Sequence, residues 1–385
     1  MSSVLQALPV PTGEAAAAIL PSLERMLAGT GPALLPVPAG DARETARLAD
    51  ALRPGEPIAD GVALVVATSG TTGVPKGAQL SAAGLRASGT ATHARLGGPG
   101  SWLLTLPAHH IAGMQVLLRA VLAGTDPVVV DVSAGFDPTV LPDAIARMSG
   151  PRRYTSLVPT QLVKVLHDPR AAAALAELDA VLLGGAATPA PLLARAGAAG
   201  ITVVRTYGMS ETCGGCVYDG TPLDGVRLRI DDDSRVLLGG PTLASGYRGL
   251  PEHPAFAEPG WFRTDDAGVV EDGVLRILGR LDEAISTGGL TVVPQVVEAA
   301  LVTHPDVAEV AVFAVPDTRL GQRVVAAIIP VAGQAPTLDA LREHVARTLD
   351  PTAAPRELHL LDALPVRGPG KVDRRALTAL FSSET

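Results

Sequence analysis

Residues 61–67, Gly-Val-Ala-Leu-Val-Val-Ala, are apolar without alternation, as in a strand buried on both faces. Similar short apolar runs recur at 101–106, 127–132, 154–159, 179–185 and 201–208. Segments with helical spacing separate them: 81–95 behind a capping Ser81, 112–123, 141–148, 161–169 and 190–199. This alternation predicts sheets flanked by helices. Upstream, 14–28 and 41–53 read as short helices broken by Pro- and Gly-rich loops. After Cys216 the texture changes to short strands with turn signals, at 226–231, 235–240, 268–273 and 274–280. A new α/β pattern follows: a helix over 292–305, strands over 308–316 and 323–331, and a helix over 338–349. The expected division is therefore 1–281 and 282–385, with the boundary near Asp282.

A chain of 385 residues is long enough for two or three folding units, and 47% hydrophobic residues supply ample core. No apolar run approaches the roughly 20 residues of a spanning helix. The formal charge of −8 disfavours sequence-independent nucleic-acid binding but permits a local basic pocket for a phosphate. The first residues show neither a basic region nor a continuous apolar one, so no secretory signal is expected and the cytoplasm is the default. Cys213 and Cys216 offer no disulfide framework, and a lone C-x-x-C lacks the second ligand pair for zinc.

Of 31 basic residues only Lys76, Lys164 and Lys371 are lysine. Lys76 and Lys371 both sit among glycines, where a compact ammonium on a flexible stem is useful. Lys76 closes TSGTTGVPKG, residues 68–77, directly after the strand over 61–67. Gly70, Gly73 and Gly77 let backbone N–H groups approach a polyanion; Thr68, Ser69, Thr71 and Thr72 add donors. Proline before the lysine and glycine after it exclude a Walker A loop.

Three further segments carry candidate chemistry. In RTYGMSET, 205–212, Glu211 is an isolated carboxylate that could hold Mg²⁺, which takes one or two protein carboxylates and completes its shell with phosphate and water. Tyr207 offers a flat face to a base. Read alone, an N-cap-like Ser210 and a solvated Glu211 explain this segment equally well. In 260–289, Asp266 could accept from ribose hydroxyls and Arg280 could donate to them; a pair of ordinary β-turns is the alternative. In LPVRGPGKVDRRAL, 364–377, Lys371 follows Gly-Pro-Gly on an expected loop before a short helix.

In this order, the motifs resemble the adenylate-forming superfamily of acyl-CoA synthetases, peptide-synthetase adenylation domains and luciferases, over nearly the whole chain from about residue 60. YGMSET has Ser210 where threonine is usual, and WFRTDD has Asp265 where glycine is usual. Within the superfamily, LPAHHIAGM (106–114), YTSLVPTQL (154–162) and RTYGMSETCGGCVYDG (205–220) are similar to o-succinylbenzoate–CoA ligases of menaquinone biosynthesis, in their short actinobacterial form. Other departures are Ser286, where lysine or isoleucine is common, and Leu290-Thr291 after the paired glycines. A typical superfamily member is longer before the phosphate loop, so the resemblance implies a trimmed N-terminal part.

The resemblance implies an α/β adenylate-forming fold. Its large N-terminal domain has helix-flanked sheets and a small β region; its small C-terminal α+β domain is mobile. It implies ATP, Mg²⁺ and CoA as the small molecules used, together with a carboxylic acid. No nucleic-acid or membrane partner is expected, and a homodimer is in keeping with the family. Lys371 becomes the lysine of adenylation and Glu211 the Mg²⁺ ligand. Thr68, Ser69, Gly70, Thr71, Thr72, Gly73 and Lys76 become the phosphate loop. Gly184, Gly185, Ala186, Tyr207, Asp266 and Arg280 take adenine and ribose. His110, Ser156, Thr160, Gln161, Gly208, Gly214 and Gly215 line the acyl pocket, where a ring carboxylate needs donors. Asp282 is the hinge, and Gly288 and Gly289 help line the CoA tunnel. These motifs specify the reaction rather than the acid. Another aryl or short acyl acid, or an adenylate-forming protein without thioester activity, stays open.

Overall fold

The computed structural model describes residues 3–68, 75–367 and 371–382, with backbone alone at 366, 367 and 371. The chain forms two compact units: Met1–Arg229 with Leu237–Arg263, and Ile230–Val236 with Thr264–Thr385.

Two sheets organise the first unit. One has five strands, in the order Leu5–Val10, Ala33–Pro38, Val62–Thr68, Lys76–Ser81 and Tyr247–Arg248. The other has seven, in the order Thr221–Pro222, Gly214–Tyr218, Val203–Met209, Ala180–Leu183, Arg153–Leu157, Ser101–Leu104 and Val128–Val129. The alternation of side chains along each strand divides the core into layers. Leu64 and Val66 of the first sheet share one cluster with Trp102, Leu104 and Leu182 of the second, filled by helices Leu20–Leu27, Ala82–Arg95 and Ile111–Ala123. Val65 and Leu35 face the opposite way, onto helix Ala42–Leu52. Leu103, Leu157 and Leu183 face helices Leu141–Ala146, Pro159–Leu166, Pro169–Leu175 and Ala190–Ala198. Strands covered on both faces need continuous apolar runs, which is why 61–67 shows no alternation.

Several expected elements appear with shifted ends. Ser81 caps its helix, accepting from the Gly84 amide at 3.0 Å. The segment read as one helix over 14–28 splits into a 3-10 helix, Gly13–Ile19, and an α-helix, Leu20–Leu27, because Pro21 starts a helix more readily than it continues one. A helix at Pro169–Leu175, capped by Asp168, was not anticipated. The strand Val203–Met209 is half-buried rather than buried, with Arg205 and Gly208 exposed.

Two parallel strands, Leu5–Val10 and Ala33–Pro38, occupy the region read only as helices and loops. Their prolines conceal them. Ala39 donates to the Val10 carbonyl, so by alternation Val37 and Leu35 also turn their amides toward the first strand. Pro36 and Pro38 then fall on the side facing Val62–Thr68, where pairing is confined to Leu34↔Leu64.

The second unit is built around Gly321–Pro330, which pairs antiparallel with Val307–Asp317 and parallel with Glu357–Leu360. Ile285–Thr287 and Leu290–Val292 extend that sheet. Its core gathers Ile285, Val297, Val312, Val324 and Leu341. Gly288 and Gly289, at φ +58° and +84°, form the two-residue turn of the 285–292 hairpin; positive φ at both positions calls for glycine. A second hairpin sets Asp266 opposite Arg280. Among the described residues, no helix is long and apolar enough to cross a membrane.

Candidate active site

In the first unit, strands Ser101–Leu104, Arg153–Leu157, Ala180–Leu183 and Val203–Met209 run parallel. The candidates cluster by topology after their carboxyl ends. His110 follows the first, Thr160 and Gln161 the second, and Gly184, Gly185 and Ala186 the third. Tyr207 and Gly208 end the fourth, just before Glu211. Open α/β sheets bind ligands at this edge.

Glu211 lies in a single 3-10 turn, Ser210–Thr212, where it is buried. The turn is locked locally: the Met209 amide donates to Thr212 Oγ1 at 3.0 Å, and Thr212 Oγ1 donates to the Gly214 carbonyl at 2.8 Å. Tyr247 Oη donates to Glu211 Oε1 at 2.5 Å. Among the described residues no three His, Cys, Asp or Glu side chains gather as a metal cage. One buried carboxylate fits Mg²⁺ that arrives with nucleotide phosphates, since their oxygens complete the shell.

Thr68 and Lys76 face each other at the ends of the antiparallel pair that brackets the segment expected to bind phosphate. Ser69, Gly70, Thr71, Thr72 and Gly73 lie outside the described residues. Lys76 Nζ stands 4.9 Å from the centre of the Tyr247 ring and 3.4 Å from His253 Nε2. His253 Nδ1 accepts the Ala255 amide at 3.2 Å, so a neutral ring carries its proton on Nε2. Two donors then converge, an arrangement suited to a shared anion. A cavity of about 720 Å³ beside them is also lined by Arg53, Glu56 and Arg248. Sequence reasoning missed Tyr247 and His253. The available signal was an aromatic between glycines, SGYRG, in a chain only 3% aromatic.

The glycines allow close backbone approach. A Cβ on Gly208 would fall 2.1 Å from the Gly214 carbonyl oxygen, and one on Gly184 would fall 2.4 Å from Thr206 Oγ1. Gly208 pairs with Gly215 across the 203–218 hairpin, so Gly208, Gly214 and Gly215 do come together.

His110 is the N-cap of helix Ile111–Ala123, and its ring centre lies 4.1 Å from that of His109. Burial, then the neighbouring His110, holds His109 at about 4. Desolvation lowers His110 as well, although part of its side chain meets solvent. Two neutral imidazoles can donate or accept hydrogen bonds without bringing a second charge. Gln161, read as an acyl contact, has a structural duty: Oε1 accepts the Val158 amide at 3.0 Å and Nε2 donates to the Thr105 carbonyl at 2.8 Å. Ser156 is buried, with its carbonyl accepting from Thr105 Oγ1, while Thr160 is exposed. Cys213 and Cys216 are buried thiols whose pKa values burial raises, so both stay protonated and inert.

In the second unit, Asp266 is buried and Arg280 Nη1 approaches its Oδ1 at 3.5 Å. Arg280 also grips Asp282 with a fork, Nε to Oδ1 at 2.8 Å and Nη2 to Oδ2 at 2.9 Å. The expected hinge residue and the expected nucleotide contact are thus bonded to each other. Lys371 opens the strand Lys371–Val372, paired with Val366–Arg367; its side chain lies outside the described residues.

The chain belongs to the AMP-binding enzyme family: it matches that family over residues 13–247 and the AMP-binding enzyme C-terminal domain over 296–371. It is 63% identical, over 384 residues and 99% of both chains, to the probable 2-succinylbenzoate–CoA ligase of Mycobacterium tuberculosis. The 2-succinylbenzoate–CoA ligase of a Geobacillus strain is 31% identical over 347 residues, 84% of this chain and 70% of that one. Among solved structures, wild-type E. coli MenE with a bound m-phenylether-linked analogue of OSB-AMS matches with a TM-score of 0.76 at 25% identity. That match covers 98% of this chain and 88% of the other. The architecture is the adenylate-forming enzyme fold.

Proposed function

We propose that the protein is an AMP-forming acid–thiol ligase that joins 2-succinylbenzoate to CoA through an acyl-adenylate, a step of menaquinone synthesis. The observation that carries this is the 63% identity along 99% of both chains to the probable ligase of M. tuberculosis. The buried Glu211 and the converging donors of Lys76 and His253 support the nucleotide chemistry.

In the first half-reaction, a carboxylate oxygen of the acid attacks the α-phosphorus of ATP. The bond to the β-phosphate oxygen breaks, and pyrophosphate leaves with that electron pair. Both reactants are anions, so alignment and charge neutralisation carry the catalysis. Lys76 and the 68–77 loop bind the phosphates, Asp266 and Arg280 orient the ribose, and Lys371 offers its ammonium to the transferring centre. One such donor contributes about 3 kcal/mol to transition-state stability. Glu211 would hold Mg²⁺, which when bound neutralises phosphate charge; Tyr247 orients that carboxylate. The neutral His110 lines the acyl pocket, where Gly208, Gly214 and Gly215 leave room for a ring.

In the second half-reaction the CoA thiol, losing its proton, attacks the acyl carbonyl and AMP departs. Residues 282–385 turn about Asp282 between the halves, with Gly288 and Gly289 at the pantetheine path. No side chain serves as a nucleophile.

The test is pyrophosphate release with ATP, Mg²⁺ and CoA across a panel of carboxylic acids. Preference for 2-succinylbenzoate by orders of magnitude, with AMP and aryl-CoA as products, is expected. Preference for another acid would overturn the substrate, and AMP-ester without thioester would overturn the ligase.

A further inference from the structure

The second unit contains a half-buried ion-pair network for which the reaction as described has no use. Lys371–Val372 leads through Asp373 into helix Arg374–Phe381; Asp373 caps the helix by accepting the Ala376 amide at 3.1 Å. The first helical residue, Arg374, turns its guanidinium inward. Its Nη2 meets both oxygens of Glu298, at 2.7 and 2.9 Å. Its Nη1 donates to Glu283 Oε2 at 2.8 Å, and its Nε donates to the Val312 carbonyl at 3.0 Å. Glu298 Oε1 also accepts the Val312 amide at 2.7 Å. One side chain thus joins the last helix, the helix Pro294–Leu301 and the sheet.

The Glu283 end is informative. Glu283 closes the 3-10 turn Leu281–Glu283, which contains Asp282. Gln295 Nε2 donates to Glu283 Oε2 at 2.6 Å, while Gln295 Oε1 accepts the Arg280 amide at 3.2 Å. The turn is held at both ends: Arg280 through Gln295, Glu283 through Gln295 and Arg374. Arg374 stands three residues after Lys371. A planar guanidinium with several donors in fixed directions can tie three elements at once; a lysine ammonium lacks that fork.

We propose that Arg374 is a positioning residue for adenylation, fixing the chain that carries Lys371 to the turn at Asp282 so that lysine and hinge move as one body. Slack between them would blur the placement of the ammonium, and misplacement by about 1 Å can cost on the order of 100-fold in rate. The inference rests on Lys371 as the adenylation lysine.

The experiment uses the full chain with Arg374→Gln, Arg374→Lys, Glu283→Gln and Lys371→Ala, and the double variant Arg374→Gln/Lys371→Ala. It follows single-turnover acyl-adenylate formation, and thioester formation from supplied acyl-adenylate. Arg374→Gln is expected to lower the adenylation rate constant roughly 10- to 100-fold with KM for ATP and acid nearly unchanged. Thioester formation should stay within about threefold of the parent, as expected when only transition-state placement is lost. Arg374→Lys and Glu283→Gln should lose less, in the same direction. In the Lys371→Ala background Arg374→Gln should cost nothing further, because a residue acting through another is not additive with it. Equal loss in both half-reactions, or a further loss in the double variant, would overturn the proposal while leaving Lys371 in its role. Intact adenylation in Lys371→Ala would overturn both. If Arg374→Gln does not fold, Glu283→Gln carries the same comparison.

Discussion

Tyr247 Oη donates a hydrogen bond to Glu211 Oε1 across 2.5 Å, although the two residues are 36 positions apart. The same ring presents its face to Lys76, 4.9 Å away. One aromatic side chain therefore addresses both the carboxylate proposed for Mg²⁺ and the lysine that closes the proposed phosphate loop.

Tyr247→Phe keeps the ring and deletes the hydrogen bond. A hydrogen bond to a charged group is worth about 1.5–3 kcal/mol, so adenylation should slow by roughly 10- to 100-fold. Glu211→Gln should weaken it more and shift the Mg²⁺ titration to higher concentration. An unchanged Mg²⁺ titration of pyrophosphate release in both variants would remove Glu211 from the metal.

Lys371→Ala should block formation of the acyl-adenylate and largely spare thioester formation from supplied acyl-adenylate. Asp282→Pro should do the reverse, because it stiffens the backbone where the rotation is placed. Rapid-quench assays of the separate half-reactions make the comparison, and the opposite pattern would exchange the two roles.

Gly208→Ala tests the close approach of the two strands. The added Cβ meets backbone, which cannot rotate away, so the 203–218 hairpin must open. A loss of about 1–3 kcal/mol in chemical denaturation is expected, with weaker acid binding. Unaltered stability and KM would mean that the hairpin has slack.

Stability should fall as the solution is acidified below neutrality. His93 is buried and accepts from Trp102 Nε1 at 3.2 Å, which requires a bare Nε2. Burial, then the Arg119 charge, lowers its pKa to about 4. The unfolded chain, with an ordinary value of about 6.5, binds the proton first, so stability is whole above about 6.5 and declines toward 4. The decline is at most about 1.4 kcal/mol per pH unit for each such histidine. His109 adds to the slope. His93→Gln, which keeps an acceptor but cannot titrate, should reduce the slope of denaturation free energy between pH 6.5 and 4.5, with His109 and His110 supplying the remainder. A slope identical to that of the parent would show that His93 is not its source.

The family was legible because its signature is local. TSGTTGVPKG and YGMSET each place glycine, hydroxyls and one charge within ten residues, GRLDEAI (279–285) sets Arg280 beside Asp282 and Glu283, and each follows an apolar run readable as a strand. The short strands at 268–273 and 274–280 were legible too, whereas the pairing of Asp266 with Arg280 came from the structure. Less was visible where polar or proline residues stand in strands. Lys76–Ser81 has no apolar run, yet it pairs along its length with Val62–Thr68. Gln161 has a structural duty that its motif did not disclose. Its place in a resembling segment pointed to the acyl pocket, while its amide serves backbone groups of its own helix start and of Thr105.

By itself the sequence determined the apolar strands of the parallel sheet, where glycine-rich turns interrupt them, and therefore the class of chemistry those turns can perform. Periodicity, capping and turn propensity are properties of a few consecutive residues, and they survive without knowledge of the fold. Only the tertiary structure decided that His253 reaches Lys76 across 177 positions, and that Tyr247 bridges Lys76 and Glu211. It also decided that Arg374 ties the last helix to Glu283 across 91 positions. Such contacts depend on strand order and on which side chains a layered core turns toward one another, and no local pattern encodes either.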